Sequence, residues 1–407
     1  MKKYIVWILA TLFLLHPLQA DTLDIKSIYS PQIVVQTNEA LEQLVKEYEE
    51  IAELVTIGYS TTQNTEIKAL KLGKGEKSIL INGTHHGREA LTTVLLLNQI
   101  QYLGEKYKQG SSIQGEDVRT VLNTVSIYFV PLLNPDGAEI ALSSKPNWKS
   151  NGRGVDLNRN YPTPYAKLVT KPLPGASEYA GTSPFSELET QALRDLCIAQ
   201  NFEGAIAYHS AGEVIYWWYH QTGKLYKTSL AIGQKLSRET GYGLVPISES
   251  KGGLGFTDWF IQTFHKPAYT LEIGKTVNGK PLDLQEYNKI WKDNKEIPFL
   301  FAVEILNLNT FDNQVELGEK TIQGKTIFNR SLVPVKAVCE AIGVSYRYIP
   351  EEKAVELLGE EWLLYFSKGE KIAWYNEEAI DLVMPACIIE GEMYIPLRTI
   401  LENLSLE

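Results

Sequence analysis

Apolar segments of strand length alternate with segments of helical apolar spacing over most of the chain. Continuous apolar stretches lie at 78–82, 125–133, 204–208 and 268–273. A strand that is apolar throughout must be covered on both faces, and the intervening helices can provide that cover. The pattern predicts an α/β domain built on a buried, largely parallel sheet.

Other local patterns give more specific expectations. Residues 32–35 read as a short strand, residues 39–53 as a helix, and residues 284–308 as a single long helix. Residues 135–185 are rich in glycine, proline, asparagine and serine, which predicts a long irregular stretch. A loop of that length inside a compact domain is usually functional.

The pattern changes near residue 309, where the chain becomes polar and loses its apolar periodicity. We expect one domain over residues 21–308, a linker over 309–324 and a small α+β domain over 325–407. The last of these holds an approximate repeat in which the segments around Pro334 and Pro396 resemble each other. It contains no histidine, which favours a binding or spacing module over a second enzyme.

The overall charge is acidic. The 39 lysines and arginines stand against 49 aspartates and glutamates, which gives a net charge of −10. A surface that binds nucleic acid needs an excess of lysine and arginine to neutralise phosphates. The balance therefore argues against nucleic acid as a partner.

The first 20 residues read as a signal peptide. Lys2 and Lys3 precede an apolar run at 4–15, and Ala20 offers a small residue for cleavage. The alternative, an uncleaved membrane anchor, is less favoured because the run is shorter than the ~20 residues of a bilayer span. We expect an exported protein, secreted or attached to the cell surface, with no transmembrane span after cleavage.

Cysteine use is sparse, with only Cys197, Cys339 and Cys387. An odd and low number argues against a disulfide framework. A Cys339–Cys387 pair stays open, although three buried thiols acting as small apolar side chains are favoured.

Two histidines and one glutamate form a possible metal site. His86 and Glu89 follow the predicted strand at 78–82, and His209 ends the predicted strand at 204–208. Ligands of open α/β sheets bind beyond the carboxyl ends of strands. Alone, His86 would be expected to be an ordinary hydrogen-bonded histidine. With a second imidazole and a carboxylate it fits a catalytic zinc site that leaves one position open.

Such a site needs a base for the water proton, because zinc lowers the pKa of its water from about 15.7 toward roughly 7 but does not accept the proton. Glu272 is the candidate, since it lies in the apolar strand at 268–273. A lone carboxylate there is costly unless it is used or paired. The alternative is a structural ion pair.

Seven short motifs occur in the order in which they occur in zinc carboxypeptidases of the carboxypeptidase A superfamily. They are His86-Gly87-Arg88-Glu89, Asn134-Pro135-Asp136-Gly137, Gly154-Val155-Asp156-Leu157-Asn158-Arg159-Asn160-Tyr161, Ser186-Glu187-Leu188-Glu189-Thr190, Tyr208-His209-Ser210, Asp258-Trp259 and Leu271-Glu272. The chain resembles that family over roughly residues 30–308. The resemblance implies a mixed, largely parallel sheet flanked by helices.

The resemblance also implies roles for the matched residues. His86, Glu89 and His209 would bind one Zn²⁺, and Glu272 would be the general base and proton shuttle. Further positions would contact substrate: Asn158 and Arg159 would receive its terminal carboxylate, and Arg88 would make a secondary contact. An arginine suits this task because its planar fork can bind a carboxylate through two hydrogen bonds.

Three departures from the family pattern affect the expected mechanism. Lys149 stands where the family usually has an arginine that stabilises the oxyanion, and Arg153 is a nearby alternative. Residues 246–251 contain no tyrosine, although family exopeptidases carry a mobile one in this region. Thr257 occupies the position that sets side-chain preference, so a strictly acidic or basic preference is not encoded there.

Two further similarities concern location. The segments around Trp148, Asn158 and His209 resemble the bacterial branch that includes γ-D-glutamyl-diaminopimelate peptidases, which cut cell-wall stem peptides. Residues 325–407 resemble a copper-amine-oxidase-like N-terminal domain, a module of exported bacterial proteins. The absence of histidine argues against copper in this domain.

The leading hypothesis is an exported bacterial zinc metallopeptidase that acts on peptidoglycan stem peptides, with the C-terminal domain contacting cell wall. One alternative is an extracellular carboxypeptidase that trims peptides or proteins. Another is a non-catalytic cell-wall-binding protein on the same fold.

Overall fold

The computed structural model describes residues 23, 25–163, 173–247, 255–275, 280–317, 319–376 and 378–404. The expected signal peptide lies outside the described residues. No helix in the described part of the chain combines the length and apolarity needed to cross a bilayer.

The described residues of the first domain form ten strands, eight of which build one sheet in the order β1-β2-β6-β3-β7-β10-β8-β9. The remaining two, β4 and β5, form a small hairpin. The strands are β1 (Ala52–Tyr59), β2 (Glu66–Leu72), β3 (Lys77–Asn82), β4 (Ser112–Ile113), β5 (Glu116–Asp117), β6 (Val125–Val130), β7 (Ala205–His209), β8 (Val214–Tyr216), β9 (Gly243–Leu244) and β10 (Ala268–Glu272). The central strands β6, β3, β7 and β10 run parallel, and β2 and β8 pair antiparallel with β6 and β10 at either side. At the edge, β1 pairs antiparallel with β2. The predicted mixed, largely parallel sheet is confirmed.

Helices cover both faces of this sheet. They are α1 (Ile25–Ile28), α2 (Ile33–Glu47), α3 (Leu91–Lys108), α4 (Val118–Thr124), α5 (Pro135–Ser143), α6 (Leu188–Gln200), α7 (Gly223–Thr240), α8 (Phe256–Phe264), α9 (Tyr287–Asn294) and α10 (Ile297–Leu308). Along β3, Ile79 and Ile81 join the core on one face and Leu80 joins the core on the other. This double burial explains why the residues in the middle of β3 are apolar.

Three local expectations need correction. Residues 32–35 begin α2 instead of forming a strand, because the buried positions of this segment recur at helical spacing through Leu44. The stretch 135–185 is not irregular throughout, since Asn134 caps α5 by accepting a hydrogen bond from the Gly137 amide. The predicted helix 284–308 is divided into α9 and α10, and Pro298 lies in the first turn of α10, where its missing N–H has no cost.

The second domain is built on two antiparallel five-stranded sheets, ordered β11-β12-β13-β20-β19 and β14-β15-β16-β17-β18. Its strands are β11 (Thr310–Leu317), β12 (Lys320–Ile327), β13 (Arg330–Pro334), β14 (Ser345–Ile349), β15 (Ala354–Leu358), β16 (Leu363–Ser367), β17 (Ile372–Tyr375), β18 (Glu378–Asp381), β19 (Cys387–Ile389) and β20 (Glu392–Pro396). Two helices, α11 (Val335–Ile342) and α12 (Leu397–Leu404), complete the predicted α+β domain.

The sequence repeat corresponds to two strand–proline–helix units, β13–α11 and β20–α12. Their strands pair antiparallel, with Pro334 opposite Tyr394 and Pro396 opposite Leu332. Residues 310–317, which the sequence assigns to a linker, form β11 and pair along their whole length with β12. The second domain's sheet therefore begins directly after α10.

All three cysteines are buried and free. Cys339 and Cys387 contribute to separate apolar clusters of the second domain. They act as small apolar side chains and form no disulfide.

Candidate metal centre

Adjacent parallel strands bring the predicted ligands to one edge of the sheet. His209 is the last residue of β7 and lies opposite Glu272, the last residue of β10. On the other side of β7 runs β3, which leads through Asn82 to His86. The carboxyl ends of these strands converge, and that is where an α/β sheet binds ligands.

The turn after β3 determines which of two neighbouring histidines enters the cluster. The ring of His85 points to the Tyr161 hydroxyl, with its Nε2 atom 3.1 Å from that oxygen. The same ring stacks on His209 at a centroid distance of 5.3 Å. His86 points the other way, toward Glu89. His85 therefore supports the ring of His209 from behind and takes no part in the cluster.

Close backbone packing explains the glycines of the first two motifs. A Cβ atom on Gly87 would lie 2.2 Å from the carbonyl oxygen of Gly137, and one on Gly137 would lie 2.3 Å from that of Ser150. The Asn134 side chain bridges the same segments by donating to the carbonyls of His85 and Ser150. Three distant stretches of chain thus hold the histidine turn in place.

The three predicted ligands form one buried cluster. His86 Nδ1 lies 2.8 Å from one oxygen of Glu89, and His209 Nδ1 lies 2.9 Å from the other. The two Nδ1 atoms are 3.2 Å apart. One ligand atom from each residue can be chosen so that all lie within 4.8 Å of one another. It is the one group of this kind in the described part of the chain.

The donor set fits zinc. Two imidazole nitrogens this close cannot both carry a proton, whereas a cation between them would satisfy both together with the carboxylate. Two histidines and one carboxylate leave a position open on a tetrahedral ion, which is the composition of a catalytic zinc site.

Behind His86 lies a buried ion pair. The Nε2 atom of His86 is 3.1 Å from Oδ1 of Asp156, and Lys149 donates to Oδ2 over 2.8 Å. Burial alone would raise the pKa of Asp156, yet the Lys149 ammonium and the His86 imidazole outweigh it and hold that pKa well below the usual range. An ionised carboxylate at this place fixes the ring orientation of a metal ligand.

Glu272 faces the cluster from the adjacent strand. Burial raises the pKa of Glu272 to about 8, and the negative charge of Glu89 adds to the rise. The charges of Lys149, Arg88 and Arg159 lower this pKa and so act in the opposite direction. No salt bridge to Glu272 is found among the residues that the structure describes. The arrangement favours a chemical role over a structural ion pair.

The predicted carboxylate-binding pair lies beside the cluster. Asn158 accepts a hydrogen bond from the Phe256 amide, and its Nδ2 atom lies 3.4 Å from Nε2 of His209. The Arg159 guanidinium donates to the carbonyl oxygen of Asn158 over 3.0 Å and to the carboxylate of Glu178 over 3.5 Å. Its buried Nε atom has no hydrogen-bond partner within the described residues. The Arg159 side chain is 16% exposed, so part of its guanidinium faces outward from the site.

The two candidates for the oxyanion position differ in where they lie. Lys149 reaches the cluster through Asp156, and its side chain is only 14% exposed. Arg153 points to Glu187 over 3.8 Å, and its side chain is half exposed. The structure brings Lys149 to the site and directs Arg153 away from it.

Sequence reasoning missed several buried residues that shape the site. Asp156 lies two positions before Asn158 in a quoted motif, so its place in that motif was the available signal. Asp136 anchors the turn between β1 and β2 by accepting from the Ser60 hydroxyl and from the Thr62 amide. The role of His85 carried no signal, because a second histidine beside a ligand has no characteristic spacing.

Comparisons with known proteins agree with this geometry. The sequence profile described as zinc carboxypeptidase matches residues 37–297, and that of the copper amine oxidase N-terminal domain matches residues 312–407. A γ-D-glutamyl-L-diamino acid endopeptidase 1 of Lysinibacillus sphaericus is 27% identical over 249 residues, which are 56% of this chain and 61% of the relative. The chain thus spans less than two thirds of that relative's length.

Two more similarities support the fold. An uncharacterised protein of Bacillus subtilis (strain 168), YqgT, is 29% identical over 302 residues, which cover 67% of this chain and 79% of the relative. The crystal structure of thrombin activatable fibrinolysis inhibitor matches with a TM-score of 0.59 at 20% identity, over 67% of this chain and 77% of the other.

The profile match covers more than half of the chain and includes His86, Glu89, His209 and Glu272. The chain belongs to the zinc carboxypeptidase family, and it carries a copper amine oxidase N-terminal domain after the family's domain.

Proposed function

We propose that this protein is an exported zinc metallopeptidase that hydrolyses amide bonds in peptidoglycan stem peptides of the γ-D-glutamyl-diamino acid type. The observation that carries the proposal is the convergence of His86, Glu89 and His209 on one buried point that faces Glu272. The choice of substrate rests on the similarity to the endopeptidase of Lysinibacillus sphaericus.

The residues divide the chemistry among them. His86, Glu89 and His209 would hold the zinc, which supplies Lewis acidity and makes hydroxide available near neutral pH. Glu272 accepts the proton of the attacking water and returns it to the leaving amine. It lies on the strand next to that of His209, and no residue in the described part of the chain forms a salt bridge with it.

Three cationic side chains would complete the site. Lys149 would stabilise the negative charge that develops on the carbonyl oxygen. Arg159 would bind a substrate carboxylate through the exposed part of its guanidinium, together with Asn158. Arg88 lies close enough for its charge to act on Glu272, and it would make a secondary substrate contact.

A second candidate function is an extracellular carboxypeptidase that trims ordinary peptides. The Asn158–Arg159 pair favours it, because a carboxylate subsite is what an exopeptidase needs. The hydroxyls of Thr257 and Thr270 lie 2.9 Å apart and offer no charge to select a side chain.

Product analysis by mass spectrometry separates the two. The full chain is incubated with defined muropeptides and with unmodified linear peptides of matched length, and Glu272→Gln serves as the inactive control. Cleavage at the γ-D-glutamyl-diamino acid bond of the muropeptides alone supports the proposal. Release of C-terminal residues from the linear peptides alone favours the carboxypeptidase, and cleavage of neither set contradicts both.

We also propose that the protein works at the bacterial cell surface and that the second domain contacts cell wall. The signal-like segment at 1–20 and the domain matched at 312–407 motivate this. Co-sedimentation with purified cell walls tests the domain's role, with a chain that ends at residue 308 as comparison after its folding has been checked by circular dichroism. Equal sedimentation of the two forms would rule out anchoring by the second domain.

A further inference from the structure

Lys149 is tied to the metal-ligand turn twice, by its backbone and by its side chain. Its carbonyl oxygen accepts a hydrogen bond from the amide of Gly87, the residue directly after His86. Its ammonium donates to Asp156 over 2.8 Å, and Asp156 in turn faces the His86 ring. Hydrogen bonds thus run from the turn at His86 and Gly87 to Lys149, from Lys149 to Asp156, and from Asp156 back to the His86 ring. We call this closed set of contacts the ring.

The Asp156 carboxylate is fully used in this ring. Its Oδ1 atom faces His86 Nε2 at 3.1 Å and accepts from the amide of Asn158, also at 3.1 Å. Its Oδ2 atom faces Lys149, whose side chain is 14% exposed, whereas that of Asp156 is fully buried. Without Lys149, one of the two oxygens would have no partner among the described residues, and the carboxylate would be free to rotate.

We propose that Lys149 is a positioning residue for the metal: through Asp156 it fixes the His86 ring, and its loss weakens zinc binding. This inference rests on the proposed metallopeptidase function and goes beyond the role of Lys149 at the oxyanion. The metal ligands at the centre of the site therefore depend on a residue that contacts none of them through its side chain.

The direction in which zinc affinity changes when Lys149 is removed distinguishes a positioning role from simple charge repulsion between the ammonium and the zinc ion. A lysine close to a dication repels it, so that removal of the ammonium should tighten zinc binding on Coulomb grounds. If Lys149 instead holds Asp156 and through it His86, its removal weakens binding, because partners behind a metal ligand typically contribute 10- to 100-fold in affinity.

The test measures the zinc dissociation constant of the full chain by competition with a metal-indicator chelator. Lys149→Met should weaken binding by about 10- to 100-fold. Lys149→Arg should restore most of it, because the guanidinium can still bind Asp156. Lys145→Met is the matched control: it removes an exposed lysine of the same loop that lies over Trp148, and zinc binding should not change.

A double-mutant cycle tests whether Lys149 acts through Asp156. If it does, Lys149→Met combined with Asp156→Asn should bind zinc as weakly as Asp156→Asn alone. Thermal unfolding of the metal-free variants checks that they are folded. If Lys149→Met does not fold, the comparison of Lys149→Arg with the parent chain still tests the inference.

Two results would overturn the inference and leave the proposed function in place. Zinc binding by Lys149→Met that equals or exceeds that of the parent, together with lost hydrolysis, would assign Lys149 to the substrate alone. Full additivity in the cycle would separate Lys149 from Asp156. A parent chain that binds no zinc would overturn the proposed function itself, and this inference with it.

Discussion

At the scale of single residues, the site depends on charges placed where water is scarce. Glu272 is the clearest case, because it lies at a strand end and faces a second carboxylate, Glu89, without a salt bridge of its own among the described residues. Holding a partly buried carboxyl group in this way is costly unless chemistry uses it.

Glu272→Gln tests the proton-transfer role. Glutamine has the same shape but cannot accept the proton, so hydrolysis should fall by about 10²–10⁴-fold. Zinc content should stay at the parent level, since Glu272 is not among the three ligands. Turnover and zinc are measured on the same preparation, and unchanged turnover would remove Glu272 from the mechanism.

Arg159 is expected to act on substrate binding. Arg159→Met should raise KM by about 10- to 100-fold for substrates with a free terminal carboxylate, which is the range for lost charge-assisted hydrogen bonds. Amidated substrates should respond little. Arg347→Met, which changes an arginine of the second domain with a 65% exposed side chain, is the control. An equal response of both substrate types would argue against a carboxylate subsite.

At the scale of elements, the strands that the sequence predicts are those buried on both faces of the sheet. The strands β3, β6, β7 and β10 were predictable because they are buried at nearly every position, which calls for mostly apolar residues. In contrast, β1 is only partly buried along its length, so it showed no such run. The start of α2 was misread because Ile33, Val34 and Val35 are strand-favouring residues, while the helix buries Ile33 and Leu44 from one face.

The grouping of the three predicted ligands could also be anticipated from the sequence. The motifs single out His86, Glu89 and His209, and the carboxyl ends of adjacent strands bring them together, whereas the role of Glu272 as the base stays a prediction. What the sequence could not show is contact between segments far apart in the chain, such as the approach of Gly87 to Gly137.

Gly87→Ala tests that approach. The added Cβ would meet the Gly137 carbonyl at 2.2 Å, so the two turns must separate. We expect the free energy of unfolding to fall by about 1–3 kcal/mol, together with weaker zinc binding. Gly243→Ala is the control, because its Cβ would find its nearest neighbour at 3.7 Å. Equal stability of the two variants in urea unfolding would contradict the close packing of the turns.

At the scale of the whole molecule, one turn of the second domain contacts the first domain around α4. Lys368 pairs with Asp117 at 3.2 Å, Arg119 pairs with Glu370 at 3.1 Å, and the Asn123 side chain donates to the Gly369 carbonyl. The Lys368–Asp117 pair is the most buried of these ion pairs, with side chains 17% and 10% exposed. No short motif of the sequence encodes this contact.

Lys368→Met tests whether the contact contributes to stability. It leaves a mostly buried carboxylate without its ion pair, so the free energy of unfolding should fall by about 1–3 kcal/mol. Arg398→Met, which breaks an exposed pair with Glu402, should change it by less than about 0.5 kcal/mol. Thermal unfolding of both variants provides the comparison, and equal melting temperatures would show that the domains gain nothing from this pair.

The zinc content of the purified full chain tests the central claim most directly. Mass-spectrometric metal analysis should find one zinc ion per chain in the parent and in Glu272→Gln, and almost none in His209→Ala, because that variant removes one of three convergent ligands. A parent chain that stays free of zinc after incubation with it, or a His209→Ala variant that retains the parent level, would contradict the assignment of His86, Glu89 and His209 as one metal centre.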